Sequence, residues 1–313
     1  MGYRHSTIFF CIYIVLYDGD KMKKIKLIYN VTAGQNEFKY FLDAIVEKFV
    51  DNGYDVSLFR TGKGVDLEAY VKDSAEAYGI VVAGGDGTIN RVVNAMMKNN
   101  IKVPLGVIPA GTSNDFAKHI KMPASYMQCI DKIIEGKIEP VDVGLANGNY
   151  FINVCSAGVF TNASQKTDKT LKNIFGKVAY FFTGISEIFN IKPFEVKVET
   201  EHDIFVGKIF LFLIFNGSTV GGMDFFTKNP SIQDGLLDCI ILKDCKHRKF
   251  RKMLANILAG NFEEDENIIY VKEKYIKITK LSGKCDDPDV DGDPGPKFPM
   301  EVRCIEDGLN MFL

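Results

Sequence analysis

The chain has 313 residues, of which 46% are hydrophobic and 25% are charged, and its formal net charge at pH 7 is -2. This length exceeds the usual size of one domain and predicts two domains with separate cores, while the lack of positive charge argues against DNA or RNA as a partner. The 7 cysteines are odd in number and never spaced as Cys-x-x-Cys, which indicates reduced thiols in the cytosol rather than a disulfide framework or a zinc site.

Residues 1–21 contain an unbroken apolar run, residues 8–17, that follows Arg4 and His5. The run is shorter than the roughly 20 residues that span a bilayer, and no small-residue cleavage site follows it. We interpret residues 1–21 as an upstream extension that is not part of the native protein, with Met22 as the functional start. The alternative is an anchor that lies at a membrane surface.

Residues 22–143 alternate between strand and helix patterns, which predicts an α/β domain with a mostly parallel sheet. The strand candidates are short apolar runs, and the helix candidates show apolar residues on one face. Strands are expected at residues 25–29, 55–60, 80–83 and 105–108, and helices at residues 37–52, 66–78, 89–97 and from about 113.

Residues 144–305 have a β-rich pattern and predict an antiparallel sandwich domain. Asn147 and Gly148 form the strongest short hairpin signal, between strands at residues 141–145 and 150–154. Residues 306–313 end in an apolar strand that is expected to return to the first domain. Further strands are expected at residues 195–200, 204–215, 236–242, 268–271, 275–281 and 300–304, and helices at residues 177–189 and 247–259.

Three glycine-bearing loops follow strands of the first domain, at residues 30–34, 84–88 and 109–115. Loops of this kind collect at the carboxyl edge of a parallel sheet, where ligands of such folds bind. Glycines let backbone amides approach a polyphosphate, hydroxyls add neutral donors, and the free amides of a helix start favour anions. The loops together predict one nucleotide site.

Asp86 is a carboxylate inside such a glycine loop, where it would repel phosphates. It fits there if it holds a magnesium ion or orients a hydroxyl group. The alternative is that residues 84–88 form a plain tight turn, in which Asp86 and Thr88 cap the next helix.

The sequence Gly-Gly-Asp-Gly-Thr at residues 84–88, followed by Pro-x-Gly-Thr-x-Asn-Asp-Phe-Ala at residues 109–117, resembles the diacylglycerol kinase catalytic domain. The similarity runs from Met22 onward and is closest to the soluble bacterial lipid kinases; phosphofructokinases and NAD kinases share Gly-Gly-Asp. The resemblance implies a two-domain kinase with ATP between the domains, often a homodimer. It further implies Mg²⁺-dependent transfer of the γ-phosphate to diacylglycerol, giving phosphatidic acid, by a cytoplasmic enzyme that meets its lipid at the inner membrane surface.

The resemblance also implies roles for individual residues. Asp86 and Asp115 match carboxylates needed for activity, and Asp293 matches the general base that takes the proton from the acceptor hydroxyl. A structural magnesium loop would use the side chain of Asp234 and the backbone carbonyls of Ser231 and Leu236. The nucleotide-binding positions are Asn30, Thr32, Gly34, Thr61, Gly84, Gly85, Asp86, Gly87, Thr88, Asn90, Arg91, Gly111 and Thr112.

The chain departs from the family pattern at three places. Residues 30–34 read Asn-Val-Thr-Ala-Gly in place of Asn-Pro-x-Ser-Gly, Arg91 stands where the family has Glu, and Asp293 stands where the family has Glu. Arg91 could contact the nucleotide or face solvent. The shorter Asp293 leaves Asp291 or Asp289 as alternative bases, and the acidic stretch around them could also be a solvated loop.

These departures keep other functions open. The acceptor could be a sphingoid base, a monoacylglycerol, phosphatidylglycerol or NAD, or the protein could be a nucleotide-binding regulator with weak catalysis. The basic residues of 246–252 could touch anionic lipid head groups or form a solvated helix face. The apolar residues of 178–189 could form core or a lipid groove.

Overall fold

The computed structural model of the chain describes residues 22–30, 37–158, 192–217, 231–258, 265–285 and 287–313. The predicted extension at 1–21 and the predicted helix at 177–189 lie outside these ranges. Within the ranges, none of the helices combines the length and the apolar character that crossing a bilayer requires.

The first domain is built on a four-stranded parallel sheet in the order β4-β3-β1-β2. Its strands are largely apolar because helices cover both faces, as parallel sheets require. The strands are β1 (Lys23–Tyr29), β2 (Tyr54–Arg60), β3 (Gly79–Gly84) and β4 (Leu105–Pro109). The helices are a 3-10 turn (Phe38–Tyr40), α1 (Leu42–Asp51), α2 (Leu67–Lys72), α3 (Asp86–Lys98), α4 (Asp115–His119) and α5 (Tyr126–Glu135).

Helix α2 is shorter than the predicted helix at 66–78, which was wrong at its carboxyl end. The buried side chain of Lys26 donates hydrogen bonds to the carbonyl oxygens of Tyr70 (3.2 Å) and Asp73 (2.7 Å). A lysine ammonium at the last turn of a helix satisfies carbonyl groups that would otherwise continue the helix. The buried cation on β1 therefore stabilises the early end of α2.

The second domain is antiparallel and β-rich. Asn147 and Gly148 have φ values of 42° and 91°, and they join β5 to β6 as the hairpin signal predicted. Its strands are β5 (Ile138–Ala146), β6 (Asn149–Phe151), β7 (Val154–Gly158), β8 (Phe194–Thr200), β9 (Ile204–Phe215), β10 (Leu237–Lys243), β11 (Ile268–Glu273), β12 (Tyr275–Ser282), β13 (Asp289–Val290), β14 (Asp293–Pro294) and β15 (Met300–Phe312), with one described helix, α6 (His247–Leu258).

Strand β15 joins the two domains. It pairs antiparallel with β12 and β5, and at its end Met311 pairs with Leu105 of β4 in parallel. The fully buried Phe312 packs so closely on β3 that a Cβ atom on Gly79 would lie 2.7 Å from its ring. The parallel and antiparallel parts thus form one continuous sheet of 15 strands, and the predicted α/β plus antiparallel fold class is confirmed.

Candidate functional site

The glycine loop at residues 84–88 lies where the fully buried strand β3 passes into α3. A Cβ atom on Gly84 would lie 2.7 Å from the Cβ of Thr88, so a side chain here would collide with the first turn of the helix. The Thr88 hydroxyl accepts a hydrogen bond from the Asn30 side-chain amide (3.0 Å). The first and second predicted loops therefore meet at the carboxyl edge of the sheet.

The third loop contacts the second through glycine backbone. A Cβ atom on Gly111 would lie 2.3 Å from the Cα of Gly85. Asn114 closes this loop, because its Oδ1 accepts from the Gly111 amide (2.8 Å) and its Nδ2 donates to the Gly111 carbonyl (3.1 Å). Gly85 and Gly111 are consequently required by the contact between the loops, in addition to any approach of a phosphate.

Asp86 bridges the same two loops. Its Oδ1 accepts a hydrogen bond from the backbone amide of Phe116 (3.0 Å) in the first turn of α4. The alternative that Asp86 and Thr88 cap the next helix was wrong: α3 has no side-chain cap, Asp86 is its first residue, and the Asp86 side chain binds the start of α4 instead. Asp115, the neighbour of Phe116 and the first residue of α4, is 3% exposed.

A cleft of about 600 Å³ opens between the two domains beside α3. It brings together Arg91 on α3 and Asp293 on β14, which are two of the three places at which the chain departs from the family pattern. Both side chains are exposed. The other residues that line the cleft are Gly64, Val65, Asp66, Leu67, Glu68, Asn90, Asn94, Ala95, Lys98, Asn149, Tyr150, Val290 and Pro294.

Of the three carboxylates considered as the general base, two accept hydrogen bonds from backbone amides of the protein itself. Asp289 is fully buried and its Oδ1 accepts the Gly292 amide (2.8 Å). Asp291 is 5% exposed and accepts three backbone amides, from residues 152, 153 and 154, at 2.8, 3.0 and 2.8 Å. Asp293, just beyond the Asp291-Gly292 turn, is exposed to the cleft.

Burial raises the pKa of Asp291 from 3.8 to about 7 against the lowering effect of its three amide partners. The carboxylate of Asp86 adds to the increase in the pKa of Asp291. Asp86 of the first domain and Asp291 of the second therefore interact electrostatically across the domain boundary. A proton or a metal cation at this place would relieve the repulsion.

Asn94 joins the domains at the floor of the cleft, and the sequence analysis did not identify it. Its Nδ2 donates to the Tyr150 carbonyl (2.8 Å), and its Oδ1 accepts from the Tyr150 amide (3.1 Å), so the side chain pairs with β6 as a neighbouring strand would. It also donates to the buried Asn90. The signal in the sequence is an Asn-x-x-x-Asn spacing, which places both amides on one helix face.

The predicted magnesium loop, residues 231–236, lies against the buried carboxylate of Asp142. Asp142 accepts from the amides of Gly235 (2.8 Å) and Asp307 (3.0 Å), and burial raises its pKa, with Asp234 and Asp307 adding to the effect. The side chain of Asp234 accepts from the Leu236 amide (3.1 Å) and pairs with Lys272 (2.8 Å). The ammonium of Lys272 lies near the carboxylates of Asp234 (2.8 Å) and Asp238 (3.9 Å), and Asp142 and Asp307 add two more carboxylates. Oxygen ligands with an excess of negative charge suit a hard cation such as Mg²⁺. Asp142 was not predicted.

The other residues predicted to bind nucleotide or magnesium differ in burial, and some lie outside the described residues. Thr61 is buried at the end of β2, and its amide donates to the Tyr29 carbonyl (2.9 Å). Gly87 and Thr112 are exposed. The Ser231 hydroxyl accepts from the Gln233 amide (3.0 Å). Thr32, Gly34 and the apolar stretch 178–189 lie outside the described residues.

Comparison with protein families gives two matches that together cover most of the chain. Residues 24–146 match the family described as "Diacylglycerol kinase catalytic domain". Residues 153–313 match the family described as "YegS C-terminal NAD kinase beta sandwich-like domain". The two matches correspond to the α/β and β-rich parts of the structure.

Several curated proteins and solved structures are similar along nearly the whole chain. A diacylglycerol kinase of Bacillus subtilis (strain 168) is 35% identical over 283 residues, which cover 90% of this chain and 93% of that protein. A diacylglycerol kinase of Staphylococcus aureus (strain MRSA252) is 32% identical over 293 residues, which cover 93% and 92%. A solved structure from Bacillus anthracis str. Sterne is 25% identical with a TM-score of 0.79, covering 94% of this chain and 98% of that chain.

Proposed function

We propose that this chain, which belongs to the diacylglycerol kinase family and is thus a lipid kinase, transfers the γ-phosphate of ATP to the hydroxyl group of diacylglycerol in an Mg²⁺-dependent reaction that yields phosphatidic acid. The observation that carries the proposal is the interdomain cleft. One wall is formed by residues 90–98 of α3, the helix that begins at the second glycine loop, and another wall contains Asp293. A nucleotide on the loops and an acceptor in the cleft would lie side by side.

Phosphoryl transfer requires positioning and neutralisation of charge more than covalent participation of the protein. The amides of residues 85–87 at the start of α3 and of Thr112, on loops held together by the contact between Gly85 and Gly111, would hold the phosphates of ATP. The guanidinium of Arg91 would contact the nucleotide from the cleft wall, which is the first of the two roles open to it.

Asp293 would take the proton of the acceptor hydroxyl as the general base. It is the exposed member of the three neighbouring aspartates, since Asp289 and Asp291 bind backbone amides. A base must reach the proton within hydrogen-bonding distance, and an exposed carboxylate on the cleft wall can do so when the acceptor is bound.

Asp86 would hold the magnesium ion that accompanies ATP, and Asp234 with the carbonyls of Ser231 and Leu236 would hold a structural one. A cation at either place would also offset the smaller, charge-based part of the increase in the pKa of Asp291, which comes from Asp86, and of Asp142, which comes from Asp234 and Asp307. A magnesium ion supplies positive charge that neutralises the phosphates. Asp115, buried at the start of α4, would support the position of the loops.

The acceptor would be reached at the inner membrane surface by an otherwise cytoplasmic protein, which would work as a homodimer. Helix α6 offers the exposed cations Arg248 and Lys252, while Lys249 pairs with Glu266. Anionic lipids attract such basic residues, by about 1 kcal/mol for each.

The test is to incubate purified protein with labelled ATP, Mg²⁺ and separate acceptors: diacylglycerol, monoacylglycerol, a sphingoid base, phosphatidylglycerol and NAD. Label in phosphatidic acid is the expected result, and label in NAD alone would contradict it. A nucleotide-binding regulator with weak catalysis is the second candidate, because both residues that replace the family's Glu, Arg91 and Asp293, line the cleft in which transfer would occur. Saturable ATP binding without transfer to any acceptor would favour the regulator.

A further inference from the structure

A cluster of metal-binding side chains lies in the second domain, outside the residues that line the cleft. Glu201 and His202 belong to the turn between β8 and β9, and Glu273 is the last residue of β11. One nitrogen or carboxylate oxygen from each of the three lies within 4.8 Å of the others. Among the residues that the structure describes, it is the one group of three or more His, Cys, Asp or Glu side chains whose ligand atoms lie this close together.

The sheet brings these residues together. Strand β8 pairs with β12 so that Thr200 lies beside Ile276, which places the β8–β9 turn next to the β11–β12 junction. The Thr200 hydroxyl accepts from the amides of His202 (3.2 Å) and Asp203 (3.0 Å). The turn is thereby held with its imidazole at Glu273.

The cluster contains a buried carboxylate that pairs with an exposed imidazole. Glu273 is 5% exposed, and both of its oxygens face Nδ1 of His202, at 3.2 and 3.0 Å. The two nearest lysines in sequence form ion pairs with other carboxylates, Lys272 with Asp234 (2.8 Å) and Lys274 with Glu306 (2.7 Å), and Lys274 also interacts at longer range with Glu201. Burial of a carboxylate is costly unless a cation meets it, and the second carboxylate, Glu201, adds negative charge.

We propose that Glu201, His202 and Glu273 form a binding site for a divalent transition metal of the Zn²⁺ class. Imidazole and carboxylate are ligands that Zn²⁺ takes in tetrahedral sites, with bonds of about 2.0–2.2 Å. Two such ligands lie about 3.3 Å apart around one ion, close to the 3.0 and 3.2 Å between His202 and Glu273. The exposed side of the turn leaves the fourth position to water.

This metal differs in chemistry from the magnesium of the kinase reaction, because Mg²⁺ prefers six oxygen ligands. A bound ion would cross-link the β8–β9 turn to the β11–β12 junction and stabilise this end of the sheet. The site is therefore independent of the proposed transfer to lipid, and its test does not use activity.

The test uses the full chain after treatment with a chelator, titrated with Zn²⁺ in competition with a chromogenic zinc indicator. We expect one strong equivalent in the wild type and at least a tenfold weaker affinity in His202→Ala and in Glu201→Gln. Asp203→Asn, an exposed carboxylate of the same turn, is the matched control and should bind as the wild type does. Both substituted ligands are exposed, so the variants should fold.

Co²⁺ supplies a second measurement, because a tetrahedral Co²⁺ site absorbs strongly in the visible range. The wild type and Asp203→Asn should show that absorption at one equivalent, and His202→Ala should lose it. Wild-type protein without saturable Zn²⁺ binding would overturn the proposal. So would a His202→Ala variant that keeps the wild-type affinity, because the ion would then be held by other groups, such as the half-buried thiols of Cys245, Cys285 and Cys304.

Discussion

Replacing Gly111 by alanine tests the contact between the two glycine loops. The added Cβ would lie 2.3 Å from the Cα of Gly85 and 2.7 Å from the Oδ1 of Asn114. Both distances are shorter than van der Waals contact, and the first neighbour is backbone, which cannot rotate away. The loops must therefore separate, or the hydrogen bonds between Asn114 and the Gly111 backbone must break.

The expected loss follows from overpacking, which costs about 1–3 kcal/mol in a well-packed site. We therefore expect Gly111→Ala to lower the free energy of unfolding by about that amount. Gly87→Ala is the matched control, because its Cβ would meet nothing within 4 Å and alanine stabilises a helix relative to glycine by roughly 0.5–1 kcal/mol. This variant should be as stable as the wild type or slightly more so.

The measurement is urea unfolding followed by circular dichroism, with the wild type and both variants under the same conditions. An m-value that does not change would show that the difference lies in stability. Gly111→Ala protein as stable as Gly87→Ala would refute the reasoning, because the loops could then not be in contact at Gly85 as described.

The remaining predictions concern the cleft and the β13–β14 turn. Asp293→Asn should lower kcat by about 10²–10⁴-fold, as loss of a general base does, while Asp287→Asn, another exposed carboxylate nearby, should not; equal rates would exclude Asp293 from catalysis. Arg91→Gln should raise KM for ATP about tenfold, the loss of one charge-assisted contact, and an unchanged KM would assign Arg91 to solvent. The folded-state pKa of Asp291 is raised from 3.8 to about 7, so its contribution to stability is present below pH 4 and is lost as the pH rises through 7. Between pH 5 and 8 the free energy of unfolding should therefore fall by about 3 kcal/mol more in the wild type than in Asp291→Asn. Parallel pH profiles of the two proteins would contradict the raised pKa.

Local patterns predicted the elements whose formation depends on neighbouring residues in sequence. The Asn147-Gly148 turn forms because both residues tolerate positive φ. Strand β9 spans the predicted residues 204–215 because it is largely apolar and ends in seven consecutive buried residues. The end of α2 could not be predicted in this way. It depends on a hydrogen bond from Lys26 to Asp73, 47 residues away in the chain, and no helix propensity contains that contact.

The last strand shows a different limit. The polar residues Glu306 and Asp307 and the following Gly308 interrupt its apolar pattern, so two short strands were expected. The structure has one strand of 13 residues, with a bulge between Ile305 and Leu309 at which Asp307 takes a φ of 51°. The amide of Asp307 donates to Asp142, so the bulge is stabilised by a tertiary hydrogen bond.

Within the candidate site, the sequence identified which carboxylates are present, but it did not identify the backbone groups to which each carboxylate is hydrogen-bonded. The resemblance assigned Asp86 to the phosphates and left Asp289, Asp291 and Asp293 as possible bases. The hydrogen bond from Phe116 to Asp86 and the amides bound by Asp291 depend on loops that are 30 and about 138 residues apart. Only the fold separates the exposed carboxylate from those that hold the backbone.

The two family departures in the cleft have to be considered together. The resemblance gives acidic residues at both positions, whereas here Arg91 and Asp293 place one positive and one negative charge on the walls of the same cleft. Phosphate groups that enter this space therefore meet less repulsion than between two carboxylates. Under the proposed mechanism, the shorter Asp293 would have less reach toward the acceptor, and the cation of Arg91 would attract the phosphates of the nucleotide. A change at either position alters the electrostatic environment of the other, so their effects on transfer should not be additive.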